Sequence, residues 1–180
     1  LFSVAVMAIV VILQPELRKA VEELGRKNII SSIMPFEIGK KPGEGRFSDR
    51  TINEIVKACV EMGKVKTGAL IVVQKVSLRD YERTGIDVDG IVTSQLLINI
   101  FEKNTPLHDG AVIVRGDRVT SATCYLPLSD NMALSKDLGT RHRAGVGISE
   151  ATDSMTVIVS EETGKISVAY GGNPDRNLSG

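Results

Sequence analysis

Two short segments of this 180-residue chain hold the residue types that do chemistry together. In NTPLHDGAVIV, Asn104–Val114, His108 and Asp109 precede Gly110 and a four-residue apolar run. In GTRHRAGVG, Gly139–Gly147, the run Thr140, Arg141, His142, Arg143 follows Gly139. Together they hold both histidines of the chain. An aspartate held where a loop enters a strand can bind a hard divalent cation such as Mg²⁺ or Mn²⁺. It can also take a proton from a hydroxyl nucleophile. Glycine beside it allows a tight turn or a close ligand approach. The plainer alternative is an Asp-Gly turn whose side chain caps its own backbone.

The second segment reads as the start of a helix near Thr140. A helix N-terminus offers free N–H groups and the positive end of a dipole, so cations there call for an anion to offset them. Phosphate suits, because arginine binds its oxygens bidentately. Thr140 adds a hydroxyl, and Gly139, Gly145 and Gly147 allow close backbone approach. A solvated basic turn is the alternative. Taken together, a metal-binding acid and a polyphosphate cradle are the minimum for metal-assisted phosphoryl or nucleotidyl transfer. No Walker A or dinucleotide fingerprint is present, since GKKPGEG lacks the Lys-Ser/Thr ending of a P-loop.

Several elements must position these groups. SDRTINEIVKACVEMGK predicts a helix capped by Ser48 or Asp49, with Ile52, Ile55, Val56, Cys59, Val60 and Met62 on its apolar face and Gly63 as its end. Gly68–Lys75 reads as a buried strand. Ser77–Gly90 reads as a polar loop, and VTSQLLINIFEKN as a second helix with Val92, Leu96, Leu97, Ile100 and Phe101 on one side. AVIVRGDRVTSATCYLP predicts a hairpin turning at Gly116-Asp117, and MTVIVSEETGKISVAYGG another turning at Thr163-Gly164. That order implies an α/β fold, a mixed central β-sheet flanked by helices.

The composition fits one ordinary globular domain, with 42% hydrophobic and 24% charged residues. The 22 basic and 22 acidic residues balance, which gives no global field for nucleic acid. Cys59 and Cys124 are too few and too far apart for a zinc site or a disulfide scaffold, and both read as buried free thiols. Leu1–Leu13 is uncharged and too short to span a bilayer. It lacks the basic start and cleavage site of a signal peptide. Arg18, Lys19, Arg26 and Lys27 follow it, as on the cytoplasmic flank of a membrane span. The expected organisation is a truncated transmembrane helix remnant at 1–13, a helix (Gln14–Lys27) and connecting loop at 14–46, and a catalytic domain at 47–175 that begins near the end of the Gly- and Pro-rich stretch Phe36–Asp49. A buried core helix is the alternative for the first segment.

The DGA and RHR motifs, Asp109–Ala111 and Arg141–Arg143, resemble the two signatures of the diadenylate cyclase (DAC) domain, over roughly Phe47–Gly172. The N-terminal lead-in resembles the membrane-anchored, CdaA-type subclass. The resemblance implies condensation of two ATP into cyclic di-AMP and two pyrophosphates by two domains meeting face to face, each holding one ATP. It implies Asp109, Gly110, Arg141 and His142 as catalytic, and Asp109, His108 and Glu162 at a divalent metal, Mn²⁺ or Mg²⁺ with Co²⁺ a further option. The ATP site would add Ala111, Tyr125, Leu126, Gly139, Thr140, Arg143 and Ser160. Tyr125 would pack on the base, core packing being the alternative; Glu162 has the alternative of a charged turn. The implied partners are ATP, a second copy of the chain and membrane or cytosolic protein regulators, not nucleic acid. The implied location is the cell membrane, with the domain, soluble in itself, facing the cytoplasm. A non-enzymatic adenine-nucleotide sensor and a metal-dependent phosphohydrolase remain open as other readings.

Overall fold

The computed structural model describes residues 3–5 and 47–176, apart from Val76, Ser135 and Asp137. The predicted Gln14–Lys27 helix and most of the following loop lie outside the described residues. The chain divides into two compact units, Leu1–Pro42 and Gly43–Gly180, and the second carries both motifs.

Helix α1, Asp49–Lys64, starts as its sequence predicts, with the Ser48 hydroxyl accepting from the Thr51 amide. Strand β1, Ala69–Val73, is buried throughout. The short helix α2, Arg79–Glu82, and strand β2, Ile86–Ile91, occupy the stretch expected to be a polar loop. Helix α3, Ser94–Phe101, is capped by Thr93. The expected hairpin follows as β3, Ala111–Arg115, and β4, Arg118–Cys124. Helix α4 is Thr140–Ala151, and the second hairpin is β5, Met155–Val159, with β6, Ile166–Tyr170. A last strand β7, Asn173–Arg176, extends the sheet.

The seven strands run in the order β2-β4-β3-β1-β5-β6-β7. β1 and β3 are parallel, with Ile71 opposite Val112, and every other pairing is antiparallel. The expected mixed α/β sheet is what forms. Side chains alternate across a strand, so β1 feeds two cores. Ala69, Ile71 and Val73 pack with Ile55, Cys59, Met62, Leu97 and Phe101 of α1 and α3. Leu70 and Val72 pack with Ala144, Val146 and Ile148 of α4. Burial on both faces explains why β1 reads as an unbroken apolar run.

Three expectations need correction. Ile52, Val56 and Val60 are 50%, 54% and 42% exposed, so the buried stripe of α1 is Ile55, Ala58, Cys59 and Met62. The helix also continues through Gly63 to Lys64. The Ser77–Gly90 loop holds α2 and β2. β2 hid from pattern reading because it is an edge strand with acids at Asp87 and Asp89, an interrupted register and a positive φ at Asp89. The other edge, β7, carries Pro174, which only an edge tolerates.

Candidate active site

One end of the sheet gathers the chemistry. The parallel strands β1 and β3 begin there, while the antiparallel β4 and β5 finish there. Asp109-Gly110 leads into β3, Tyr125-Leu126 leads out of β4, and Ser160 follows β5. The N-terminus of α4 lies over the same end. Between them opens a cavity of about 860 Å³ lined by Asp109, Gly110, Ala111, Tyr125, Leu126, Gly139, Thr140, Arg141, His142, Ser160 and Glu162 among others. The two motifs, 31 positions apart in the sequence from Asp109 to Thr140, thus share one cleft.

The start of α4 is built for an anion. Its N-cap is Gly139, which has no side chain to cap it, and its first turn holds no acid. The first-turn N–H groups and the dipole end of α4 thus lie at the cleft, where an anion would be favoured. Arg141, with a side chain 24% exposed, is offset by Glu161, with Nη1 2.9 Å from Oε2. Gly145 and Gly147, expected to admit a ligand, serve packing instead: a Cβ on Gly147 would lie 2.1 Å from the Pro127 carbonyl oxygen, and one on Gly145 2.8 Å from Ile158. Only Gly139 of the three faces open space.

Gly110 has a protein-internal reason to be glycine. Its φ is +97°, and a Cβ there would lie 2.8 Å from the Thr123 carbonyl carbon. β4 bends to meet it, with Thr123 at φ +56° and the β3–β4 register broken between Ala111 and Ile113. A β-branched residue in that region is strained. The bend directs the chain into the Tyr125 segment, where the Tyr125 N–H donates to the Thr84 hydroxyl at 2.9 Å. Tyr125 is 74% exposed, which rules out the core alternative.

His108 lies beside this cleft in a second cavity of about 290 Å³, which it shares with Lys103, Asn104, Arg141 and Glu161. Its Nδ1 is 2.6 Å from the Thr105 carbonyl oxygen. A carbonyl only accepts, so Nδ1 carries a proton, and in the neutral form of the ring the lone pair sits on Nε2. That is the tautomer a metal-ligating histidine needs. Arg143 lines neither cavity; its carbonyl accepts from the Ser129 N–H. Ser160 shapes the β5–β6 turn, its Oγ accepting from the Glu162 and Thr163 amides. The apolar part of the cleft includes Leu70, Leu128, Leu138 and Ala144, and Glu161, Thr163 and Lys165 add polar groups. Sequence reading missed these. A search for charges flanking the SEETGK turn would have found Glu161 and Lys165.

Among the described residues no group of three or more His, Cys, Asp or Glu side chains could hold a metal by itself. Asp109 and Glu162 nonetheless line the cleft, with the His108 cavity adjoining. Mg²⁺ and similar ions often take one or two carboxylates and complete their shell with phosphate oxygens and water, so this sparse set fits such an ion.

The family profile described as DisA bacterial checkpoint controller nucleotide-binding, DAC, matches residues 56–174. The chain belongs to the DAC family. It is 50% identical over 175 residues to the cyclic di-AMP synthase CdaA of Bacillus subtilis, and 51% identical over 174 residues to a diadenylate cyclase of Listeria monocytogenes. In each case the match covers 96% of this chain and 61% of the relative. A double mutant of DacA from Staphylococcus aureus shares the DAC fold, with TM-score 0.71 and 51% identity over 73% of this chain and 88% of that one. A structure titled as a hypothetical membrane spanning protein from Bacillus cereus has TM-score 0.70 and 30% identity, covering 99% and 87%. Among the described residues no helix is long and apolar enough to cross a membrane.

Proposed function

We propose that this DAC domain is a diadenylate cyclase that condenses two ATP into cyclic di-AMP and two pyrophosphates. The observation that carries the reading is a single cleft joining the Gly139 start of α4 to Asp109, with an apolar end beside Tyr125 and Leu126. A volume of about 860 Å³ suits one nucleoside triphosphate. The adenine would lie by Tyr125 and Leu126, and the triphosphate against Thr140, Arg141, His142 and the first-turn amides of α4. Arg143 would contribute through long-range charge, and Ser160 by holding Glu162 toward the phosphates.

The chemistry needs two such clefts. Each 3′-hydroxyl oxygen forms a bond to the α-phosphorus of the other ATP, and the bond from that phosphorus to pyrophosphate breaks. Asp109 accepts the hydroxyl proton. Arg141 and the α4 amides stabilise charge as pyrophosphate departs. Two bonds form, two pyrophosphates leave and two protons are released. With one Asp109 and one cradle per chain, two copies meet face to face. Asp109, with His108 and Glu162, would hold Mn²⁺, Mg²⁺ or Co²⁺, which when bound neutralises phosphate charge.

We place the domain, residues 47–175, at the cytoplasmic face of the membrane. The apolar Leu1–Leu13 would belong to the membrane part and 14–46 would connect it, with protein regulators acting there. Basic residues after the apolar run support this orientation. The test is incubation with ATP and Mn²⁺ or Mg²⁺ followed by chromatography. Cyclic di-AMP is the expected product. ADP or AMP would indicate a phosphohydrolase, and unchanged ATP with measurable binding would indicate a nucleotide sensor.

A further inference from the structure

The feature left over is the pair that walls both cavities, Arg141 and Glu161. Arg141 is the second residue of α4, a poor place for a cation. Its Nη1 is 2.9 Å from Glu161 Oε2, while its Nε is buried with no hydrogen-bond partner. Among the described residues, Glu161 is the one acidic side chain paired with the guanidinium. Gly68, at the start of β1, leaves the room it occupies: a Cβ there would lie 2.6 Å from Nη1, 2.8 Å from Cζ and 3.1 Å from the Glu161 Cβ. Glu161 belongs to the turn after β5, so a residue distant in sequence fixes the arginine against the helix end.

We propose that Glu161 is a positioning residue for Arg141, acting with Gly68, and that this anchoring sets turnover rather than ATP affinity. This rests on the cyclase reading above. Glu161 exerts two opposed effects. A carboxylate beside a polyphosphate site repels the ligand, so charge alone says that removing it should tighten ATP. A guanidinium has a rigid fork of donors, and a fork held at one Nη by an ion pair keeps the rest aimed. Unheld, Arg141 gains rotamers, and the group that must meet developing charge on the leaving pyrophosphate is no longer preorganised.

The test uses Glu161→Gln, Glu161→Asp and Gly68→Ala in the same chain. Turnover is read by cyclic di-AMP formation, ATP affinity by calorimetry, and Arg141 geometry by ¹⁵N NMR of its guanidinium. Glu161→Gln is expected to lower kcat about 10- to 100-fold while ATP affinity changes less than about threefold. Glu161→Asp should recover part of kcat, and Gly68→Ala should reproduce the loss. In the wild type the Arg141 Nη signals should be resolved by restricted rotation, and in Glu161→Gln averaged. Unchanged kcat in Glu161→Gln, with or without altered affinity, or unchanged Nη signals, would overturn the proposal. A wild-type chain that makes no cyclic di-AMP would instead refute the cyclase reading, and the NMR measurement still reads the anchoring.

Discussion

Alanine at position 110 should unseat the neighbouring Asp109 by a clash with protein backbone, not with a ligand. The backbone at Gly110 has φ +97°, which costs a residue with a Cβ about 1–2 kcal/mol. The added methyl would meet Thr123 C at 2.8 Å, Thr123 Cα at 2.9 Å and Cys124 O at 3.0 Å. All three are main-chain atoms of a strand, which cannot swing aside, and a forced shift adds about 1–3 kcal/mol. The total is roughly 2–5 kcal/mol, a fall in Tm on the order of 10 °C for a domain of this size. Gly171 supplies the control. Its φ is +58° and a Cβ there meets nothing within 4 Å, so Gly171→Ala should carry only the backbone cost of about 1 kcal/mol. Urea denaturation of both variants, followed by circular dichroism, separates the two contributions. Equal stability for Gly110→Ala and Gly171→Ala would refute the close approach of β3 and β4. The folded fraction of Gly110→Ala should also lose turnover, because Asp109 shifts with its neighbour.

Two further outcomes follow from the packing. Asp117, in the β3–β4 turn, accepts from the Thr51 hydroxyl at 2.6 Å and from the Ser48 amide and hydroxyl at 2.9 Å each, and these bonds hold its carboxyl below the usual carboxylate range. A depressed folded pKa means its stabilisation is present above the unfolded value and is lost as pH falls through the folded one. Asp117→Ala should therefore cost roughly 1 kcal/mol at pH 7, and the difference from wild type should vanish in acid; a pH-independent difference would contradict this. Burial pushes the Cys59 thiol up to about 12, and burial with the nearby Glu82 and Asp87 charges does the same for Cys124. Both should resist a thiol-disulfide reagent at pH 8 in the native protein and react in urea. Rapid native labelling at either would contradict their placement in the core.

What the sequence disclosed follows from how local each signal is. The Ser48 cap, the apolar run of β1 and the two hairpin turns are short-range patterns, and each formed as expected. β2 and β7 escaped because edge strands carry charge, proline and broken register, which weaken the alternation that marks a strand. The exposure of Ile52, Val56 and Val60 depends on which side of α1 the sheet covers, a tertiary choice. Among the cleft-lining residues, Thr140–His142 stood out because cations are unfavourable at a helix start, and Asp109 only when paired with them, since an Asp-Gly turn is common by itself. Glu161 did not stand out, since its contact with Arg141 arises only when the β5–β6 turn meets α4. Gly145 and Gly147 show the converse: their type was informative, but the close neighbour is protein.

The central claim is that the active site is divided between two chains, and dilution with a defective chain tests it most directly. Asp109→Asn should keep the α4 cradle and the surface that meets the partner, yet supply no base. Wild-type chain mixed with a tenfold excess of it would be held mostly in hybrid pairs, in which only one of the two bonds is served. Cyclic di-AMP formed per wild-type chain should fall to about one-tenth, as random pairing of like surfaces requires. Output per wild-type chain that is unchanged by the excess would mean that one chain closes both bonds, and would contradict the account.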